Sequence, residues 1–204
     1  MTMLLRQISH NYREGGARQV IRKVAFRVQA FVASKAVWTV YEITPVPYCG
    51  KATAHTFSFE ELIRLRYFKA VSFPEAIRSR FEIAECYGFV VDDCLASVAW
   101  LQPHSLDLDG STSLPAEYAI YDCWTDPRFR GRGFYPELLR ILLGISHARG
   151  VSSVKIAVDP GNLPSIKGVE RAGFQKKLLV VKTVRWGRTA LSHLPSDSTH
   201  ANPA

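Results

Sequence analysis

The stretch Asp126-Pro127-Arg128-Phe129-Arg130-Gly131-Arg132-Gly133-Phe134 decides how this chain is read. Before it stands an apolar run, Tyr118-Ala119-Ile120-Tyr121-Asp122-Cys123-Trp124-Thr125. After it, Leu138, Leu139, Ile141, Leu142, Leu143 and Ile145 recur at helical spacing. The order is strand, glycine-rich turn, helix. Glycines let a backbone come close to a ligand and turn several N–H groups outward. At a helix N-terminus those orphan donors and the helix dipole favour an anion. Two arginines in the turn, Arg130 and Arg132, add charge, so the turn suits a phosphate. A Walker loop would need Gly-Lys-Ser/Thr, and the turn has no lysine. A dinucleotide fingerprint would need a third glycine where Pro136 stands. The bland alternative is a strand-to-helix connection with a basic rim.

Downstream, Asn162-Leu163-Pro164-Ser165-Ile166 opens a second helical segment, and Glu170-Arg171-Ala172-Gly173-Phe174 closes it. Taken together, the two blocks resemble the GNAT superfamily of N-acyltransferases. The family's pyrophosphate signature, Arg/Gln-x-x-Gly-x-Gly/Ala, falls on Arg130-Gly131-Arg132-Gly133-Phe134-Tyr135. Its second hallmark is an Asn that opens the next helix and a Gly-Phe that ends it. The likeness is clear over residues 86–184. It implies an α+β fold with a mixed, mostly antiparallel sheet, helices on both faces, and two central strands that splay apart. It further implies acetyl-CoA as co-substrate. Arg130, Gly131, Arg132, Gly133, Phe134 and Tyr135 would hold the pyrophosphate, with Asn162 and Ser165 beside it. The backbone of Cys123, Trp124 and Thr125 would pair with the pantetheine arm.

Two departures stand out. Tyr135 occupies a position that is Gly or Ala in the signature. Val169 occupies the position where many relatives carry a tyrosine that protonates the leaving thiolate.

Composition bounds the rest. A chain of 204 residues can bury a substantial core as one domain. No run of about 18 apolar residues is present, so a membrane span is not expected. An uninterrupted apolar h-region is also missing, so no secretory signal is expected. Cys49, Cys86, Cys94 and Cys123 show no C-x-x-C spacing, which argues against zinc and a disulfide framework and for reduced thiols in a cytoplasmic protein. No metal ligand set is expected.

The net charge of +8 is concentrated early, where Arg6, Arg13, Arg18, Arg22, Lys23, Arg27 and Lys35 face only Glu14. Val20, Val24, Val28 and Phe31 share a helical face. Residues 1–36 thus read as a basic amphipathic helical extension that packs on the domain or touches an anionic surface. Residues 37–188 form the acyltransferase domain. Residues 189–204, rich in Ser, Thr, Pro and Ala, read as a disordered tail. Nucleic-acid binding is not expected, because aromatics do not interleave the basic residues as a pattern. A homodimer stays open.

Local signals place further elements. Val37 to Ile43 reads as a strand, and residues 44–56 as a loop. Ser58 with Glu61 forms a capping box, and Pro74 opens a helix. Residues 87–101 form a hairpin around Asp92-Asp93, and residues 103–115 a polar loop. A strand covers 154–158 and a last strand 178–184.

The chemistry needs a neutral amine, a thioester beside it and a stabilised oxyanion. Candidates for the base are Asp122, Glu117 and Tyr121. Strand alternation separates Asp122 from the other two unless a bulge intervenes. Asp122, inside an apolar strand, is either paired to an arginine or functional. Glu117 is either a base or a solvated strand-end charge. Tyr135 is a displaced acid, an acceptor contact or a packed ring.

For the acceptor, the layout resembles GNAT proteins of sugar modification and kasugamycin-type aminoglycoside acetyltransferases, which implies a primary amine on an amino sugar. Asp92, Asp93, Asp107, Asp109, Glu117 and Asp122 could hold a cationic acceptor, and Tyr87, Trp100, Tyr121, Trp124 and Tyr135 could stack on a sugar. A nucleotide- or polysaccharide-linked amino sugar would use Arg64, Arg66, Arg78 or Arg80. A non-catalytic acyl-CoA-binding module remains the alternative of another class, favoured by Val169.

Overall fold

The computed structural model describes residues 33–186 and 188–195. The expected basic helix before residue 33 lies outside them. The described strands are β1 (Ala33–Ile43), β2 (His55–Phe57), β3 (Glu85–Val91), β4 (Cys94–Asp107), β5 (Ser113–Thr125), β6 (Val154–Val158), β7 (Gln175–Arg185) and β8 (Arg188–Pro195). The helices are α1 (Phe59–Arg64), α2 (Phe68–Ser72), α3 (Pro74–Arg80), α4 (Phe134–Ala148) and α5 (Leu163–Arg171). Among the described residues, two compact units hold them, residues 38–179 and residues 33–37 with 180–194.

In the larger unit the strands run β2-β3-β4-β5-β6-β1-β7. Pairs β2–β3, β3–β4, β4–β5 and β1–β6 are antiparallel, and β5–β6 is parallel. This is the expected mixed, mostly antiparallel α+β sheet. Each face buries its own core. On one, Leu138, Leu139, Leu142 and Leu143 of α4 and Val169 of α5 meet Tyr41, Ile120, Val154 and Ile156. A fully buried leucine contributes ~1.5–3 kcal/mol relative to exposure, so this stripe fixes α4 on the sheet. On the other, Leu62, Tyr67, Ala70 and Ile77 of α1–α3 cover Phe57, Val98, Trp100 and Tyr121.

Several local signals act as the sequence dictates. Ser58 and Glu61 close the capping box of α1 in both directions. Pro74 sits in the first turn of α3. Asp92 and Asp93 take φ of +49° and +56° to turn the β3–β4 hairpin. Other expectations need correction. The polar loop at 103–115 is a pair of long strands joined over residues 108–112, because backbone pairing between β4 and β5 overrides the polar composition. The loop at 44–56 gives its end to β2. In the smaller unit β7 neighbours β8. Residues 189–195 of the expected disordered tail therefore belong to the strand Arg188–Pro195, and the rest of that tail, residues 196–204, lies outside the described residues. The strand's side chains are exposed, so the sequence carries no apolar alternation to announce it.

Among the described residues, no helix is long and apolar enough to cross a membrane.

Candidate active site

The site begins where two strands part. Parallel pairing of β5 with β6 runs from Tyr118↔Val154 to Ile120↔Ile156 and stops there. Both strands continue, β6 to Val158 and β5 to Thr125. The backbone of β5 beyond Ile120 thus leaves its neighbour, which opens the expected splay. A bulge reinforces the divergence. Between Val98↔Trp124 and Trp100↔Tyr121, β5 advances three residues against two on β4. Asp122 is the residue in the left-handed region, at φ +49°, a conformation that Asp tolerates better than most residues. The end of β5 is tied down by buried Ser97, whose hydroxyl donates to Trp124 O at 3.1 Å and lies 2.9 Å from Thr125 Oγ1.

From Thr125 the chain enters the turn. Asp126 accepts from the Arg128 N–H at 2.8 Å and caps a single 3-10 turn, Pro127–Phe129. Phe129 is buried and packs edge-on against Phe134. Arg130 Nε donates to Thr125 O at 3.1 Å, folding the turn back on the strand. Gly131 and Gly133 adopt φ of +77° and +84°. A Cβ built at either would meet nothing within 4 Å. Gly133 is the N-cap of α4, with no side chain bonded to the cap. The turn leaves the donors of a helix N-terminus facing open space, the arrangement that holds an anion.

That space is a cavity of about 580 Å³. Its walls include Cys123, Trp124, Thr125, Arg130, Gly131, Gly133, Phe134, Tyr135, Asn162 and Ser165, which brings ten of the residues proposed for acetyl-CoA into one place. Asn162 caps α5, its side chain accepting from the Ser165 N–H at 3.2 Å. Arg132 is the exception. It does not line the cavity, and its guanidinium lies over the Phe129 ring, 5.4 Å from the centroid. Sequence reasoning missed Lys167 and Arg171 of α5, which also line the cavity. Their i, i+4 spacing puts both on one helix face, and that signal was readable.

The expected bases do not gather at the cavity. Both carboxylate oxygens of Asp122 are engaged, one by Lys69 of α2 and the other by Arg80 of α3. Its side chain is only 14% exposed. The ion triad pins the helices of one face to the bulge, so accepting a proton would mean releasing a cation. Glu117 lies six residues before Cys123, roughly 20 Å along the strand. It accepts from the Ser152 hydroxyl at 2.6 Å and from the Ser152 and Ser153 N–H groups at 2.9 and 3.1 Å. These bonds hold its carboxyl below the usual range. Tyr121 faces the α1–α3 core, under Arg80 at 5.3 Å from its ring, and burial pushes its phenol up.

Tyr135 is the phenol on the cavity wall. Its hydroxyl lies 3.2 Å from Ser165 Oγ, and its ring rests on Gly168. Cys123 is beside it, with burial pushing the thiol up to about 12. A thiol held protonated is a poor nucleophile. Val169 is fully buried in the core and reaches no site. The lining holds Arg130, Lys167 and Arg171 but no Asp, Glu or His. Among the described residues no cluster of three or more His, Cys, Asp or Glu could hold a metal.

The model of the acetyltransferase (GNAT) family matches residues 57–174, more than half of the chain. The chain belongs to the GNAT acetyltransferase family. Solved GNAT structures share its fold. A GNAT-family acetyltransferase of Novosphingobium aromaticivorans is 20% identical, with a TM-score of 0.57 over 80% of this chain and 66% of that one. One from Colwellia psychrerythraea is 12% identical, with a TM-score of 0.53 over 87% and 62%. The chain thus spans less than two thirds of either length. An aminoglycoside 6'-N-acetyltransferase of Acinetobacter haemolyticus is 13% identical, with a TM-score of 0.48 over 61% and 92%. At that distance its acceptor carries no argument for this GNAT chain. No curated protein matches.

Proposed function

We propose that this GNAT chain transfers an acetyl group from acetyl-CoA to a primary amine of a small molecule, an amino sugar. One observation carries the proposal: the splayed end of β5, the glycine turn and the first turns of α4 and α5 converge on a single cavity. The N–H groups at Gly131 and Gly133 would receive the pyrophosphate. Arg130, Lys167 and Arg171 supply countercharge for phosphates. The edge of Cys123–Thr125 that β6 no longer pairs would take the pantetheine arm as an added strand, and its N–H groups would stabilise the oxyanion. With no carboxylate or histidine in the lining, the amine proton leaves through water.

Trp124 favours a sugar-like acceptor. It lines the cavity, and Phe68, 46% exposed, stands 5.7 Å away, a platform open to an apolar face. A polycationic aminoglycoside such as kasugamycin is the less favoured form of this proposal. It would call for carboxylates, and Asp122 and Glu117 are engaged elsewhere, while Asp92, Asp93, Asp107 and Asp109 do not line the cavity. Of the arginines a nucleotide-linked sugar would use, Arg80 is held by Asp122 and Arg78 lies over Phe59.

The core position of Val169 supports a second reading, an acyl-CoA-binding module without turnover. One experiment separates them. Acetyl-CoA binding is measured by calorimetry, then free thiol is followed with amino sugars, aminoglycosides, polyamines and peptides. Thiol release with neutral-bodied amino sugars supports the transferase. Binding without release for every amine supports the module.

A further inference from the structure

We infer that Tyr135 is the proton donor to the departing thiol, working from the first turn of α4 in a slot that Gly168 leaves free. This rests on the acetyl-transfer reading above. Three observations carry it. Tyr135 lines the cavity at the level of Cys123, beyond the point where β5 and β6 part. Its hydroxyl lies 3.2 Å from Ser165 Oγ, on the same wall as the α4 N-terminus and the α5 cap. Its ring occupies a slot that only glycine permits: a Cβ at Gly168 would stand 2.4 Å from ring Cδ1 and 2.6 Å from Cε1. Two residues on different helices are thus fitted to bring one phenol to the cavity. The remaining titratable groups there are cations and the Cys123 thiol.

The phenol suits the task. Burial, with Cys123 beside it, pushes its pKa well above the ordinary value, so it keeps its proton through the neutral range. Ser165 Oγ can accept from it at rest and steer the ring. In the reaction the amine nitrogen forms the C–N bond, and the C–S bond breaks with its electron pair on sulfur. The Tyr135 Oη–H proton passes to that sulfur as charge develops. The surplus proton of the nitrogen returns through cavity water to the tyrosinate oxygen. Nothing is oxidised or reduced, and the net products are amide and free thiol.

Leaving-group dependence tests the role. Tyr135→Phe keeps the ring in its slot. With acetyl-CoA, kcat is expected to fall by ~10²-fold, as for loss of a general acid, while both KM values and the acetyl-CoA Kd stay within a factor of two. With the selenoester analogue of acetyl-CoA, whose selenolate leaves without a proton, the deficit should shrink at least tenfold. Gly168→Ala, which drives the ring from its slot, should reproduce both the loss and the relief. Equal deficits with the two donors would mark the ring as packing and overturn the inference. Wild-type turnover by Tyr135→Phe would overturn it alone. A wild-type protein that releases no thiol with any amine would overturn the acetyl-transfer reading and this inference with it.

Discussion

Alanine at Gly133 separates backbone strain from ligand contact. Gly133 caps α4 at φ +84° and ψ 0°, and a Cβ there meets nothing within 4 Å. In the free protein the added methyl has no clash, so only the left-handed backbone is penalised, by about 1–2 kcal/mol. For a domain of this size that lowers Tm by roughly 2–8 °C. The open space around this Cβ belongs to the cavity. A pyrophosphate gripped by the neighbouring N–H groups would leave no room for the methyl. The acetyl-CoA Kd should therefore rise at least tenfold, ~1.4 kcal/mol of binding, on top of the strain. Gly110→Ala is the control. Gly110 has φ +76° and equally open surroundings, but it sits in the β4–β5 turn and does not line the cavity. It should lose the same Tm and no affinity. Calorimetric titration with parallel thermal unfolding of both variants decides. If both lose Tm alike and neither loses affinity, the pyrophosphate does not lie against Gly133.

Asp122→Asn should act on stability first. It strips the counter-charge from Lys69 and Arg80, and breaking a buried pair costs about 3–5 kcal/mol, less here because Lys69 is partly exposed. A ~10²-fold loss of turnover at unchanged Tm would instead restore Asp122 as the base. Glu117→Gln should leave kcat and both KM values within twofold, and a large kcat loss would show that Glu117 reaches the chemistry. Lys167→Ala and Arg171→Ala should each weaken acetyl-CoA binding and flatten its dependence on salt, whereas an unchanged salt slope would remove them from the phosphate site. Stability should fall in acid. Glu61 is lowered from 4.5 to about 2, chiefly by the Ser58 N–H and then by His55. Glu117, Glu85 and Asp126 are lowered too. Carboxylates depressed by folding stabilise above their unfolded pKa and lose that contribution as pH falls through the folded one. Tm should therefore drop between about pH 4.5 and 2, more gently in His55→Ala, which removes the second of these partners; a flat Tm there would contradict these partners.

Much of the site was legible in the sequence because its signals are local. A glycine at φ +84°, a cap at Asn162 and the apolar stripe of α4 each depend on residues within one or two turns. The strand–turn–helix order, the glycine turn and the Ser58–Glu61 cap followed from that alone. Other features were decided only by the tertiary structure, since they depend on partners far apart in the chain. Asp122 looks like a base until Lys69 and Arg80, 53 and 42 residues earlier, close on both its oxygens. Glu117 looks catalytic until Ser152 and Ser153 take its carboxylate at the far end of the strand. Tyr135 breaks the family signature, and its fit becomes intelligible only with Gly168 beneath the ring. Side-chain chemistry gives each residue its capacities; which of them it uses depends on the charges, hydroxyls and empty spaces that folding places within a few ångströms.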